Sequence, residues 1–128
     1  MIAKTFAADT KSAAAVIDFI GVCLAHHPAS VKNRAFIAVD EIFSNIARHA
    51  YGADCGDVLI EIDIRDKTLI TFTDSGAPFD PLAYPCHKPD DFSADSNVKG
   101  LGIFLLKNAA CDAVYNYADG KNVLSIGI

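Results

Sequence analysis

A chain of 128 residues with 52% hydrophobic and 21% charged residues has enough apolar material for one packed domain and little room for a second. Its formal net charge of -5 argues against broad nucleic-acid binding, which calls for a basic face, though not against a small basic pocket for phosphates. No run approaches the roughly 18 apolar residues of a membrane span, and Met1-Ile2-Ala3-Lys4-Thr5 does not open a secretory leader.

Residues 2–7 read as a short strand. Asp9 or Thr10 can cap a helix running to about His26, stopped by Pro28, with Val16, Ile17, Ile20, Cys23 and Leu24 at helical spacing. His26-His27 reads as an exposed helix end. A second helix starts near Pro28 to Ser30 and ends near Tyr51, before Gly52. Val58, Ile60, Ile62 and Ile64 alternate with Leu59, Glu61, Asp63 and Arg65 as a strand, and Asp66-Lys67 turns into a second one, Leu69 to Thr73. From Gly76 to about Val98 periodicity stops, and a stretch this long suits a functional loop. A third helix is expected from about Leu101 to Ala110, then a hairpin, 112–118 and 122–128, turning at Asp119-Gly120. Helices and strands are largely segregated, so the expected fold class is α+β, with helices on one face of a mixed, mostly antiparallel sheet.

The four cysteines, Cys23, Cys55, Cys86 and Cys111, form no CxxC pair, which suits a reducing cytoplasm. Cys23 and Cys111 read as buried thiols. Cys86-His87 offers half of a metal site with no evident second half.

The second helix carries a stripe that needs a reason. With Glu41 set at zero and 100° per residue, Asn45 lies about 40° away, Arg48 about 20° to the other side and His49 about 80° away. Phe36, Val39, Phe43, Ile46 and Ala50 gather opposite. A solvated helix face accounts for this pattern. Two features count against it: Ile37 and Ile42 flank the stripe, and the Lys-Glu mixture of open surfaces is missing. A carboxylate one turn from an amide oxygen suits Mg²⁺ beside a proton acceptor.

Asp74-Ser75-Gly76-Ala77-Pro78-Phe79-Asp80-Pro81 follows directly on a strand. It is a plain strand-ending turn, or a site where an aspartate accepts from an amine and Gly76 lets a flat ring approach. Lys99-Gly100-Leu101-Gly102 then opens the third helix, where free backbone N–H groups can hold phosphate oxygens and Lys99 adds a cation. A glycine pair of this kind is weak on its own, and its position after the long loop adds weight.

Glu41-x-x-x-Asn45, Asp74-x-Gly76-x-Pro78-Phe79-Asp80 and Gly100-Leu101-Gly102, in this order, resemble the nucleotide-binding boxes of the GHKL superfamily. The spellings from Asp40 to Tyr51, from Gly102 to Leu106 and from Cys111 to Val114 resemble its anti-sigma-factor serine/threonine kinase branch, and the likeness covers essentially the whole chain. The resemblance implies a single Bergerat-type α/β sandwich over residues 1–128 that binds ATP and Mg²⁺. Asn45 would hold the metal. Asp74 would accept the adenine amine, with Gly76, Pro78 and Phe79 around the ring. Lys99, Gly100, Leu101 and Gly102 would meet phosphate, with Arg48 and His49 beside the site. Residues 83–98 would be the ATP lid. Glu41 would be the general base toward a Ser or Thr of an anti-anti-sigma (STAS) protein, and a sigma factor would be the second partner. A homodimer, with residues 2–7 covered, is also implied. The sequence departs from the pattern at Val98, where a glycine is usual, and in an acidic loop whose lysines are Lys88 and Lys99, with no arginine. These departures point to an alternative, a nucleotide-dependent partner-switching module with little or no phosphotransfer.

Overall fold

The computed structural model describes residues 1–51, 55–80 and 112–128. Two-residue alternation builds its sheet. On β2 (Asp57–Ile64) Val58, Ile60 and Ile62 are buried; on β3 (Thr68–Asp74) Thr68, Ile70, Phe72 and Asp74 are buried. With β1 (Ile2–Ala7), β4 (Asp112–Ala118) and β5 (Lys121–Gly127), they form a five-stranded sheet in the order β1-β2-β3-β5-β4. Every pairing among the described strands is antiparallel. Ile62 stands opposite Ile70, and Ile70 opposite Ile126, so one face of the sheet carries a continuous apolar row. The β4–β5 turn works as expected: Asp119 and Gly120 both take left-handed conformations, φ 55° and 75°, matching a primed two-residue hairpin.

Among the described residues, two helices cover that face. Asp9 caps the first, its carboxylate accepting from Ser12 N–H at 2.9 Å. The first turn, Thr10–Ser12, is 3-10, and α1 proper runs Ala13–Cys23, shorter than the periodicity suggests. The chain beyond it stays in tight turns, with His27 N–H donating to the Leu24 carbonyl, until Pro28. The helix α2 runs Ala29–His49. Val16 and Ile20 of α1 and Leu24 just after it join Ala35, Ala38, Val39, Ile42 and Phe43 of α2 and the inward strand residues in one core. Burying each large aliphatic or aromatic side chain contributes about 1.5–3 kcal/mol. This is the two-layer α+β sandwich that the segregation of helices and strands implies.

The histidine pair departs from expectation. His27 is half-buried, and its Nε2 lies 2.9 Å from the hydroxyl of buried Thr68 at the start of β3, while His26 is exposed. A buried hydroxyl needs a partner, and the turn after α1 supplies one. Cys23 is half-buried, and burial pushes its thiol up, as suits an inert packing thiol. Gly52, Cys86, His87, Cys111, the lid 83–98 and the third helix lie outside the described residues.

Candidate functional site

The alternation that buries Ile70 and Phe72 also turns Asp74, the last residue of β3, inward. There it stands directly opposite Asn122, the second residue of β5. Both side chains are 6% exposed. A buried carboxylate needs donors, and Asp74 Oδ1 accepts two: the N–H of Gly76 at 2.9 Å and the Asn122 amide at 3.0 Å. Asn122 also donates to the Ala77 carbonyl at 2.9 Å, and its oxygen accepts from Phe79 N–H at 3.1 Å. The Tyr115 hydroxyl of β4 donates to that same oxygen and accepts from Phe79 N–H at 3.2 Å. The bend after β3 is therefore held by side chains from the neighbouring hairpin.

Its other anchor is α2. Ala77 N–H donates to the Ala50 carbonyl at 3.0 Å, just past the end of the helix. A Cβ on Gly76 would fall 2.1 Å from that carbonyl oxygen. Close approach of helix and bend thus requires glycine at 76. Tyr51 adds a second tie: its hydroxyl accepts from Ser75 N–H at 2.9 Å and donates to the Asp57 carbonyl at 2.6 Å.

Helix α2 brings the polar stripe to the same place. Asn45 is 7% exposed, and its amide donates to Glu41 Oε1 at 3.0 Å. Its oxygen accepts from Arg48 Nη2 at 3.2 Å. Burial pushes the Glu41 carboxyl above the ordinary carboxylate range and Asp40 adds to the rise, while the Asn45 hydrogen bond and the Arg48 charge oppose it. The basic pair Arg48 and His49 falls in the last turn, where cations suit the helix dipole.

Between helix, bend and sheet lies an open hollow. Ile42, Ile46, Phe72 and Leu124 form its apolar wall; Asn45, Asp74, Tyr115 and Asn122 supply its polar groups. His49 and Phe79 also line it, their ring centroids 6.5 Å apart. Of the residues singled out in the sequence, Asn45, His49, Asp74 and Phe79 thus meet around one space. Glu41 and Arg48 are hydrogen-bonded to Asn45 beside it, Gly76 shapes the bend, and Pro78 lies between two lining residues. Lys99, Gly100, Leu101 and Gly102 lie outside the described residues. Asn122 and Tyr115 are additions. Strand parity carried a signal for Asn122: a polar residue two positions before Leu124 and four before Ile126 shares their inward face and so must have partners there.

An amide oxygen is a hard ligand suited to Mg²⁺, which takes few protein ligands and keeps water or phosphate on its remaining positions. The guanidinium resting on Asn45 Oδ1 shows that this oxygen receives a cationic group. Among the described residues no cluster of three acidic, histidine or cysteine side chains offers an all-protein metal cage. Among them, too, no helix is long and apolar enough to cross a membrane.

Comparison with known proteins bears on the same geometry. The serine-protein kinase RsbW of Bacillus cereus strain G9842 is 29% identical over 96 residues, which is 69% of this chain and 58% of that protein. The RsbW proteins of Bacillus cereus strain B4264 and Bacillus thuringiensis strain Al Hakam match at the same identity and coverage. The chain thus spans less than two thirds of the length of these curated relatives. The family model of the histidine kinase-like ATPase domain matches residues 6–128, so with its antiparallel sheet and covering helices this chain belongs to that family.

Proposed function

We propose that this chain is one ATP-binding domain over residues 1–128 that holds Mg-ATP in the hollow between α2 and the bend after β3. We propose further that it transfers the γ-phosphoryl group to a Ser or Thr hydroxyl of an anti-anti-sigma (STAS) protein, and that it also binds a sigma factor. One observation carries the nucleotide reading: a buried carboxylate, Asp74, lies among apolar walls and faces the same space as Asn45. An apolar wall with a buried carboxylate beside it suits a flat base bearing an amine. The kinase reading draws on the family and on the RsbW relatives, which are named serine-protein kinases.

The residues take the following roles. Asp74 accepts from the base amine, and Ile42, Ile46, Phe72 and Leu124 exclude water from the ring. Asn45 presents its amide oxygen as the metal ligand, with Arg48 moving aside from it. Mg²⁺, when bound, neutralises phosphate charge. Lys99 and the backbone of Gly100, Leu101 and Gly102 hold phosphate oxygens, and residues 83–98 serve as the lid. Glu41, one helical turn from Asn45, takes the proton of the incoming hydroxyl. The raised position of its carboxyl suits a base that must accept a proton near neutrality. Phosphoryl transfer asks chiefly for alignment and charge neutralisation, which this set supplies.

Thermal melting with and without Mg-ATP tests the binding step. Ligand at 100 times its dissociation constant adds about 2.7 kcal/mol, and an unchanged melting temperature would remove the nucleotide from the account. Transfer from labelled ATP to a STAS domain, with Glu41→Ala as control, tests the kinase step. The acidic, arginine-free stretch from Gly76 to Val98 favours a second reading, a partner-switching module that holds ATP without efficient transfer. That reading gives ATP-dependent melting without labelled product.

The same proposal places the chain in the cytoplasm as a homodimer. Ala8 N–H donates to Gly56, so two-residue alternation turns the backbone groups of Ala3 and Thr5 away from β2, along the outer edge of the sheet. A second copy can cover this edge. Light scattering at micromolar concentration tests it, and a monomer mass would count against it.

A further inference from the structure

We infer that Asn122 is the positioning residue of the site: its amide fixes which oxygen of Asp74 is left for the ligand. The inference rests on the nucleotide reading above and extends it to a residue outside the family boxes.

The orientation of the Asn122 amide is set by groups that have no choice. Phe79 N–H can only donate, so the Asn122 oxygen must face it, at 3.1 Å. The Ala77 carbonyl can only accept, so the NH₂ must face that side, at 2.9 Å. One of the two NH₂ protons is then committed to Asp74 Oδ1, at 3.0 Å. Tyr115 seals the arrangement, because its hydroxyl donates to the Asn122 oxygen. Burial pushes the Tyr115 phenol up, so it keeps that proton near neutrality. Among the described residues, both donors to Asp74, Gly76 N–H and Asn122, end on Oδ1. The remaining oxygen, Oδ2, is the acceptor presented to an amine. A carboxylate without this lock could rotate and share its oxygens between backbone and ligand.

The test is N122D, which keeps the shape and exchanges the donor for a carboxyl beside Asp74. Two carboxyls this close share one proton, and their mutual repulsion raises the pKa at which it is lost. Below that value the shared proton restores a donor to Asp74 Oδ1, and the pair carries the single negative charge of the wild type. Above it the donor is gone and the pair repels. The other titratable groups nearby, Tyr115 and Tyr117 on β4, His49 on α2 and Asp80 beyond the bend, are present in both proteins, so the comparison cancels them.

Calorimetric titration with Mg-ATP should give N122D a loss of about tenfold against wild type at pH 8, shrinking to within about threefold at pH 5.5. Melting of both proteins without ligand at the two pH values separates binding from folding. A folded N122D that binds like wild type at both values overturns the inference, and so does a loss that is equal at both. If N122D does not fold, Y115F decides, since it keeps the ring and removes only the hydroxyl. Weakening by about threefold or more supports the lock, and unchanged affinity overturns it. A wild-type chain that binds no ATP would instead sink the nucleotide reading itself, a result distinguishable from all of these.

Discussion

The carbonyl oxygen of Ala50 accepts from Ala77 N–H at 3.0 Å and occupies the space that any side chain on Gly76 would need, 2.1 Å from where a Cβ would stand. The obstacle is backbone, which cannot swing away as a flexible side chain could. G76A should therefore push the bend off the helix. The expected cost is about 1–3 kcal/mol, the usual penalty for overpacking, with a drop of several degrees in melting temperature and weaker nucleotide binding. An unchanged melting curve would show that the bend has slack.

For D74N the hydrogen bonds dictate the orientation of the new amide. Gly76 N–H and the Asn122 NH₂ both point at Oδ1, so that position must stay an oxygen and the new NH₂ must take the other. A donor then faces the ligand amine. ATP affinity should fall roughly tenfold or more, in line with about 1.5–3 kcal/mol for a hydrogen bond to a charged group. A purine with a keto group at the same position should lose less. Calorimetry with ATP and ITP checks both; equal affinities for wild type and D74N would remove Asp74 from the site.

E41Q separates chemistry from stability. The substituted side chain can still accept from Asn45, so ATP binding should persist while phosphotransfer falls by about 100-fold or more, as for loss of a general base. The pH dependence has a definite sign. The folded state raises the Glu41 pKa above 4.5, so Glu41 favours the fold most below pH 4.5, and that contribution is lost as pH rises through the folded value. The always-neutral variant should therefore gain on wild type in melting temperature between about pH 4 and pH 7. A constant difference over that range would show that Glu41 titrates as an open surface group.

N45A removes the oxygen that now holds Arg48. With Mg²⁺ present, the variant should bind ATP about tenfold more weakly than wild type, a change of about 1.4 kcal/mol. With the metal chelated, the two proteins should bind nearly alike. Titrations with and without EDTA check this, and an equal loss in both conditions would assign Asn45 a packing role only.

Much of the fold was legible because its signals are local. Alternation from Val58 to Ile64 marks β2, and Asp119-Gly120 marks a turn whose two left-handed residues suit aspartate and glycine. Glu41 and Asn45, one turn apart, were bound to be neighbours. What was not legible depends on strand order. Asp74 meets Asn122 because β3 pairs with β5, a contact between residues 48 apart that no local spacing announces. His27 reaches Thr68, 41 residues away, because the turn after α1 packs against the start of β3, which no local spacing announces either. The close approach of Gly76 to Ala50 at the end of α2 is a further such contact, 26 residues apart in sequence, that the spelling of the turn does not announce.

The Ala77–Ala50 hydrogen bond ties the bend to the end of the same helix that carries Asn45 into the hollow and Glu41 beside it. From Glu41 to Ala50, α2 advances about 13 Å at 1.5 Å per residue. A helix is stiff on this scale, so on the proposed reading the span between the seat for the base and the proton acceptor is gauged by a rigid rod rather than by loops. On that reading a ligand one phosphate shorter would be gripped at the base and leave the far end of the rod unreached, and nucleotide length would be sensed as directly as nucleotide identity.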